Sequence, residues 1–186
     1  PVADYEMDPQ VVQSPARAQG IAAGLRSLPA VSIVMDVESL FGSAGLYSNP
    51  AGSGVLWERP ASLEFIQPDG GDGFQVDCGL RIHGGASRNP SNSPKHGLRV
   101  LFKSVYGPDK LRFPVFPDSS ASIFDTLIFR ASYNNSWVHS DESQRRRAQL
   151  IHDQWARDTQ RDMGHAASHG RFVTLYLNGL FWGVYN

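Results

Sequence analysis

The residues best equipped for chemistry lie close together in Gly79–Lys103, GLRIHGGASRNPSNSPKHGLRVLFK. A strand pattern runs into Gly84-Gly85-Ala86-Ser87-Arg88, crosses a polar loop with Pro90 and Pro94, and returns through Lys95 into a second strand pattern. Paired glycines let backbone N–H groups approach a ligand closely, a serine hydroxyl adds a donor, and Arg88 and Lys95 can neutralise phosphate oxygens. The chemistry this suits is holding an anion, phosphate above all. The plain alternative is a turn between two strands with solvated cations on their faces.

Charge is distributed in keeping with that focus. The formal net charge of −1 conceals an acidic first part, with ten acids against three bases in residues 1–78. Residues 79–113 carry Arg81, Arg88, Lys95, Arg99, Lys103, Lys110 and Arg112 against Asp109 alone, and residues 114–186 balance at seven each. A compact basic segment in a near-neutral chain fits an anionic ligand better than nucleic acid, which asks for a wider basic face.

Other chemistries lack their residues. The chain has no GxxxxGK[ST], no GxGxxG opening a helix, no GxSxG and no HExxH, which removes the usual phosphate-loop, dinucleotide, hydrolase-elbow and zinc-protease signatures. His165 and His169 are bracketed by Gly164 and Gly170 and read as turn residues, and no metal set is assigned. A single cysteine, Cys78, excludes an intrachain disulfide framework and reads as a small buried strand residue. No run reaches the roughly 18 to 20 apolar residues of a membrane span.

With 186 residues, 41% hydrophobic content, eighteen Gly and twelve Pro, the chain suits one α+β domain rich in strands and reversals. Residues 1–30, with Pro9, Pro15 and Pro29, read as an extended N-terminal arm with at most a short helix near Arg17–Leu25; the domain proper is 31–186. Strand patterns follow at 31–36, at 61–67 and 74–83 around the Pro68-Asp69-Gly70-Gly71 turn, at 98–103 with Arg99 and Lys103 to one side, and at 125–131. One principal amphipathic helix is expected at about 140–164. Ser140 would cap it, Ala148, Ile151, Trp155, Thr159 and Met163 would form its buried stripe, Asp153 and Arg157 an i,i+4 pair, and Gly164 its end. Arg171–Leu177 and Leu180–Tyr185 flank Asn178-Gly179, the pair suited to a type I′ hairpin turn.

From about Val31 onward these segments resemble the CotH (spore coat protein H) kinase-like family. GLRIHGGASR with PKHGLRVLFK is similar to the family's strand-loop and lysine-bearing strand, FDTLIFRASYNNSW to the segment before its helix, and RFVTLYLNGLFWGVYN to its aromatic hairpin. The upstream SLFGSAGLY and WERPASLEF resemble large exported bacterial members. The resemblance implies an atypical protein-kinase-like fold that binds ATP with magnesium and phosphorylates serines of coat or surface proteins outside the cell. It implies Gly84, Gly85, Ser87 and Arg88 as the phosphate-covering loop, Lys95 as the cation on the phosphates, and Arg81 and Arg99 as supporting charges. His152 before Asp153, and Asn135, depart from the family pattern. The family's catalytic aspartates follow the aromatic hairpin, so the chain is expected to be truncated before them, poorly soluble relative to a longer piece, and no catalytic residue is assigned. The alternative is an inactive structural or carbohydrate-associated surface module, with Trp57, Trp137 and Trp182 as possible sugar platforms.

Overall fold

The structure, a computed structural model, describes residues 8–186. It is an α+β fold built on one large curled sheet. The strands are β1 (Ala30–Val34), β2 (Arg59–Ile66), β3 (Phe74–His83), β4 (Gly97–Leu101), β7 (Thr126–Phe129), β8 (Val173–Leu177) and β9 (Leu180–Tyr185), ordered β7-β4-β3-β2-β1-β8-β9. Two short strands, β5 (Leu111–Arg112) and β6 (Ile123–Phe124), pair separately. All pairings in the large sheet are antiparallel except β1 with β8, which sets Val31 beside Leu175 and Ile33 beside Leu177. The period-2 alternation behaves as strand physics requires. Leu63, Phe65, Cys78, Leu80, Ile82, Leu98, Val100, Leu127 and Phe129 share the inner face and are buried, whereas Arg81, Arg99 and Ile128 share the outer face in register.

The curl brings the two edges of the sheet together. Beyond the end of β7, Arg130 exchanges backbone hydrogen bonds with Asn186, just past β9, at 2.7 and 3.2 Å. The β8–β9 turn takes Asn178 at φ 49° and Gly179 at φ 83°, as a type I′ turn needs. Asn178 does more than turn the chain: its side chain bonds both the N–H and the carbonyl of Met35, which fastens the hairpin to the end of β1.

Several sequence expectations need correction. The arm is helical rather than extended, with α1 (Pro9–Val12) and α2 (Pro15–Ser27), the second enclosing the short helix expected near Arg17–Leu25; its first seven residues lie outside the described residues. Pro9 and Pro15 sit at the first helical position, where a missing N–H is harmless, so they start helices rather than extend the chain. A five-residue helix α3 (Val37–Phe41) is capped by Asp36, whose carboxylate accepts from Ser39 N–H. The expected single helix is two: α4 (Glu142–Arg146) and α5 (His152–Asp162), separated where Gln149 N–H is drawn off to the carbonyl of Asn135. Asp141, not Ser140, caps α4. The apolar stripe is not buried: Ile151, Trp155 and Met163 are 61, 68 and 67% exposed.

The reason lies in what α5 packs on. Its neighbours offer an amide and charges, so its polar side turns inward: Arg157 bonds Asn186, Gln154 accepts from Asn186 at 3.1 Å, and Arg161 bridges Asp158 and Asp118 at 2.7 and 2.6 Å. The expected Asp153–Arg157 ion pair gives way to Asp153 with Arg130, and Arg157 reaches only the backbone carbonyl of Asp153. Gly164 does take the positive φ, 83°, of a helix end. No helix among the described residues is long and apolar enough to cross a membrane.

Candidate anion site

The β3–β4 loop is shaped by a glycine that no other residue could replace. Gly84 lies at φ 135°, and a Cβ built there would fall 2.1 Å from Ser87 Oγ. Ala86–Arg88 then makes a single 3₁₀ turn. Arg88 holds this loop in place rather than reaching into solution. Its Nε donates to the Gly84 carbonyl at 2.7 Å, its Nη2 to Ile82 at 3.0 Å, and its Nη1 to Gly52 at 2.7 Å. A guanidinium so engaged keeps its charge but has few donors left for a phosphate. The loop is also tied from behind, where the buried His96 donates from Nδ1 to the Ser87 carbonyl at 3.1 Å. Burial, the larger influence, lowers the His96 pKa despite that bond.

Lys95 turns away from the loop. Its Nζ donates to the Val184 carbonyl of β9 at 2.6 Å and stands 4.3 Å from the centre of the Tyr185 ring. No carboxylate among the described residues pairs with it, and burial brings its pKa down to about 8. Arg81 is engaged as well. Glu58, a buried carboxylate just before β2, accepts from Arg81 at 3.4 Å, from Lys103 at 2.8 and 2.9 Å and from Tyr106 at 3.2 Å. Lys103 meets Glu58 from beyond the end of β4, outside the strand in which the sequence placed it.

Arg99 is the exception. It stands opposite Arg81 in the β3–β4 register, has no side-chain hydrogen bond or ion pair among the described residues, and its Nε is enclosed without a partner. It faces a cavity of about 660 Å³ together with His83, Gly84 and Ser87. Arg130, Arg157, Arg171 and His169 also border that cavity, and no Asp or Glu among the described residues does. The imbalance is felt by the groups themselves. Burial first, then the positive charges of Arg99, Arg88, Arg81 and Arg130, lower the His83 pKa. Desolvation lowers those of Arg157 and Arg171, and Arg130 adds to the effect at Arg157. A partly open space lined by four arginines and, among the described residues, by no carboxylate favours an anion.

Of the residues singled out in the sequence, Gly84, Ser87 and Arg99 therefore meet at one cavity, while Gly85 is exposed, Arg88 fastens the loop, Arg81 belongs to Glu58 and Lys95 to β9. Sequence reasoning missed Glu58, Arg130, Arg157 and Arg171. Glu58 sits in WERP directly ahead of a strand, an unusual place for an acid in a segment about to be buried; the three arginines carry no local signal and are assembled by the curl of the sheet. A search for related families, curated proteins and solved structures finds no match to the chain.

Proposed function

We propose that the chain is the phosphate-holding, nucleotide-covering portion of an ATP-dependent, CotH-type protein kinase whose acceptors are serines of surface or coat proteins. The observation that supports this is the unpartnered Arg99 guanidinium in a carboxylate-free cavity beside the Gly84–Ser87 turn. In this reading Arg99 takes the leading role on the phosphates, with His83 and the loop N–H groups beside it, and Arg88 and His96 keep the loop in shape. Lys95 has no part in the phosphate contact, because its amine is committed to Val184 and Tyr185.

Magnesium, which the resemblance implies, does not fit the residues present. The cavity lining has no carboxylate, and the described residues contain no cluster of three His, Cys, Asp or Glu able to hold a metal. No catalytic step is assigned to these residues, and the reading is one of binding. Isothermal titration with ATP, with and without magnesium, is the test. Arg99→Gln weakens binding at least about tenfold, the scale of one lost charge-assisted hydrogen bond, while Lys95→Ala leaves it within about twofold. Absence of ATP binding in the unaltered chain overturns the reading.

The carbohydrate-module alternative loses most of its platforms. Trp182 donates to Tyr47 Oη at 2.6 Å and packs on the core, Trp57 packs against it too, and of these three platforms Trp137, 60% exposed, is left to face a sugar.

A further inference from the structure

The outer face of the sheet has a gap in it, and three donors stand around that gap. The β3–β4 register sets His83 beside Gly97 and Arg81 beside Arg99. The β4–β7 register sets Leu98 beside Phe129 and Arg99 beside Ile128, so the next step along it brings Arg130 beside Gly97. His83, Gly97 and Arg130 thus form one row across three chain segments, with Arg99 two residues along β4 on the same face. All four line the cavity. Gly97 adds no side chain to its row, so His83 and Arg130 stand two strand spacings apart, roughly 10 Å, with bare backbone between them. The floor also resists a side chain: a Cβ at Gly97 would lie 3.0 Å from the His83 carbonyl oxygen and 3.4 Å from that of Phe129.

The three donors act on one another. Burial first, then the positive charges of Arg99, Arg88, Arg81 and Arg130, hold the His83 ring toward its neutral form, so both Arg99 and Arg130 are near enough to be felt there. A neutral imidazole still donates from one nitrogen. Arg88 and Arg81 are committed to the loop and to Glu58. Arg99 has no side-chain partner among the described residues, and its Nε is enclosed. Arg130 is engaged at one end, where its Nη2 meets Asp153 of α5 in a half-exposed ion pair. Such a pair is worth little in water, and the rest of the guanidinium stays available to a ligand.

We infer that the Gly97 floor seats a tetrahedral oxyanion, the dianion of phosphate or of a small phosphate monoester, held by His83, Arg99 and Arg130. This rests on the Arg99 anion site proposed above and narrows it, because it asks for the phosphoryl group alone, without base or ribose. Donors on three sides of an empty floor suit an anion with an oxygen for each, whereas a flat carboxylate has two oxygens to offer. The two guanidinium charges favour a double negative charge. Asp153 is then the competitor, since ligand and α5 draw on the same Arg130.

The test is isothermal titration of the whole chain, at constant ionic strength, with inorganic phosphate, methyl phosphate and acetate. Phosphate and its ester bind, the tighter of the two naming the source, and acetate binds at least about tenfold more weakly. Arg99→Gln and Arg130→Gln each weaken phosphate at least about tenfold, and His83→Ala at least about threefold. Asp153→Asn tightens it about twofold to fivefold, the scale of an exposed ion pair that no longer competes, and this gain vanishes in the Arg130→Gln background. Acetate bound as tightly as phosphate, phosphate binding unchanged in Arg130→Gln or His83→Ala, no gain in Asp153→Asn, or no phosphate binding by the unaltered chain overturns the proposal. ATP titrated alongside keeps the two readings apart. ATP binding that needs Arg99, with no binding of phosphate, removes this inference alone; phosphate binding with ATP no tighter than methyl phosphate removes the nucleotide reading alone.

Discussion

Arg81 and Arg99 face one another across β3 and β4, drawn from the same basic segment, and they have opposite surroundings. Arg81 leans on Glu58, which also gathers Lys103 and Tyr106, so two cations share one buried carboxylate. Arg99, one strand over, meets no acid among the described residues and opens onto the cavity. The net +6 of residues 79–113 thus divides into charge that is consumed in building the sheet and charge that is left over. Only the second kind is available to a ligand. A basic segment read as one feature is two, and the position of a single glutamate decides which cation falls on which side.

The largest effect should come from removing that glutamate. Glu58→Ala leaves Arg81 and Lys103 beside an emptied, low-dielectric site and destabilises the chain by about 3 to 5 kcal/mol, the usual cost of breaking a buried ion pair from one side. Urea unfolding measures it. A loss below about 1 kcal/mol would erase the distinction between the two arginines.

Lys95 extends the comparison to a cation answered by a carbonyl and a ring but by no acid among the described residues. Its folded pKa of about 8 lies below the ordinary 10.5, so between those values the unfolded chain binds a proton that the folded chain has released. Stability contributed by this group therefore rises with pH across that window, and its burial is unfavourable below it. Other groups titrate in the same region with the opposite sign: Cys78 and Tyr47, both pushed up to about 12 chiefly by burial, favour unfolding as pH climbs past their ordinary values. The useful quantity is therefore a difference. The stability of Lys95→Met minus that of the unaltered chain should fall by about 2 kcal/mol as pH rises from 8 toward 10.5. A difference that stays constant with pH would show the amine to be charged and well accommodated throughout.

The smallest effect belongs to α5, where charge is turned in and hydrophobicity out. Trp155→Gln, on the exposed stripe, should change stability by less than about 0.5 kcal/mol in thermal unfolding. A loss of 2 kcal/mol or more would mean that the stripe is covered after all.

That stripe also marks the boundary of what the sequence could convey. Alternation with period 2 located β2, β3 and β4, and Asn178-Gly179 located the β8–β9 hairpin, because both depend on the local chain and on one buried face. The spacing of Ile151, Trp155 and Met163 located α5 but joined it to α4 and gave it a wrong orientation. Periodicity tells which residues share a side but not what that side will meet, and Asn186, Asp118 and Arg130 reach α5 from elsewhere in the chain. The candidate site was legible to the same degree. Gly84, Ser87 and Arg99 were visible as a cluster because one loop carries them, while Arg130, Arg157 and Arg171 were not. The setting of Lys95 was hidden for a related reason: its partner, the Val184 carbonyl, is 89 residues away and carries no side-chain signature.

The parallel pairing of β1 with β8 has a consequence in time as well as in space. From β1 through β4 to β7 the sheet is a series of antiparallel neighbours that can form as the chain lengthens. Residue Val31, by contrast, must wait for Leu175. Closing so long a loop is slow because its entropic cost precedes its contacts. During synthesis the edge of β1 stays open until the β8–β9 hairpin arrives, with Val31 and Ile33 exposed beside unpaired backbone groups, the condition in which a chain is most open to association with others. Asn178, which clasps both backbone groups of Met35, then acts as the latch that ends this interval.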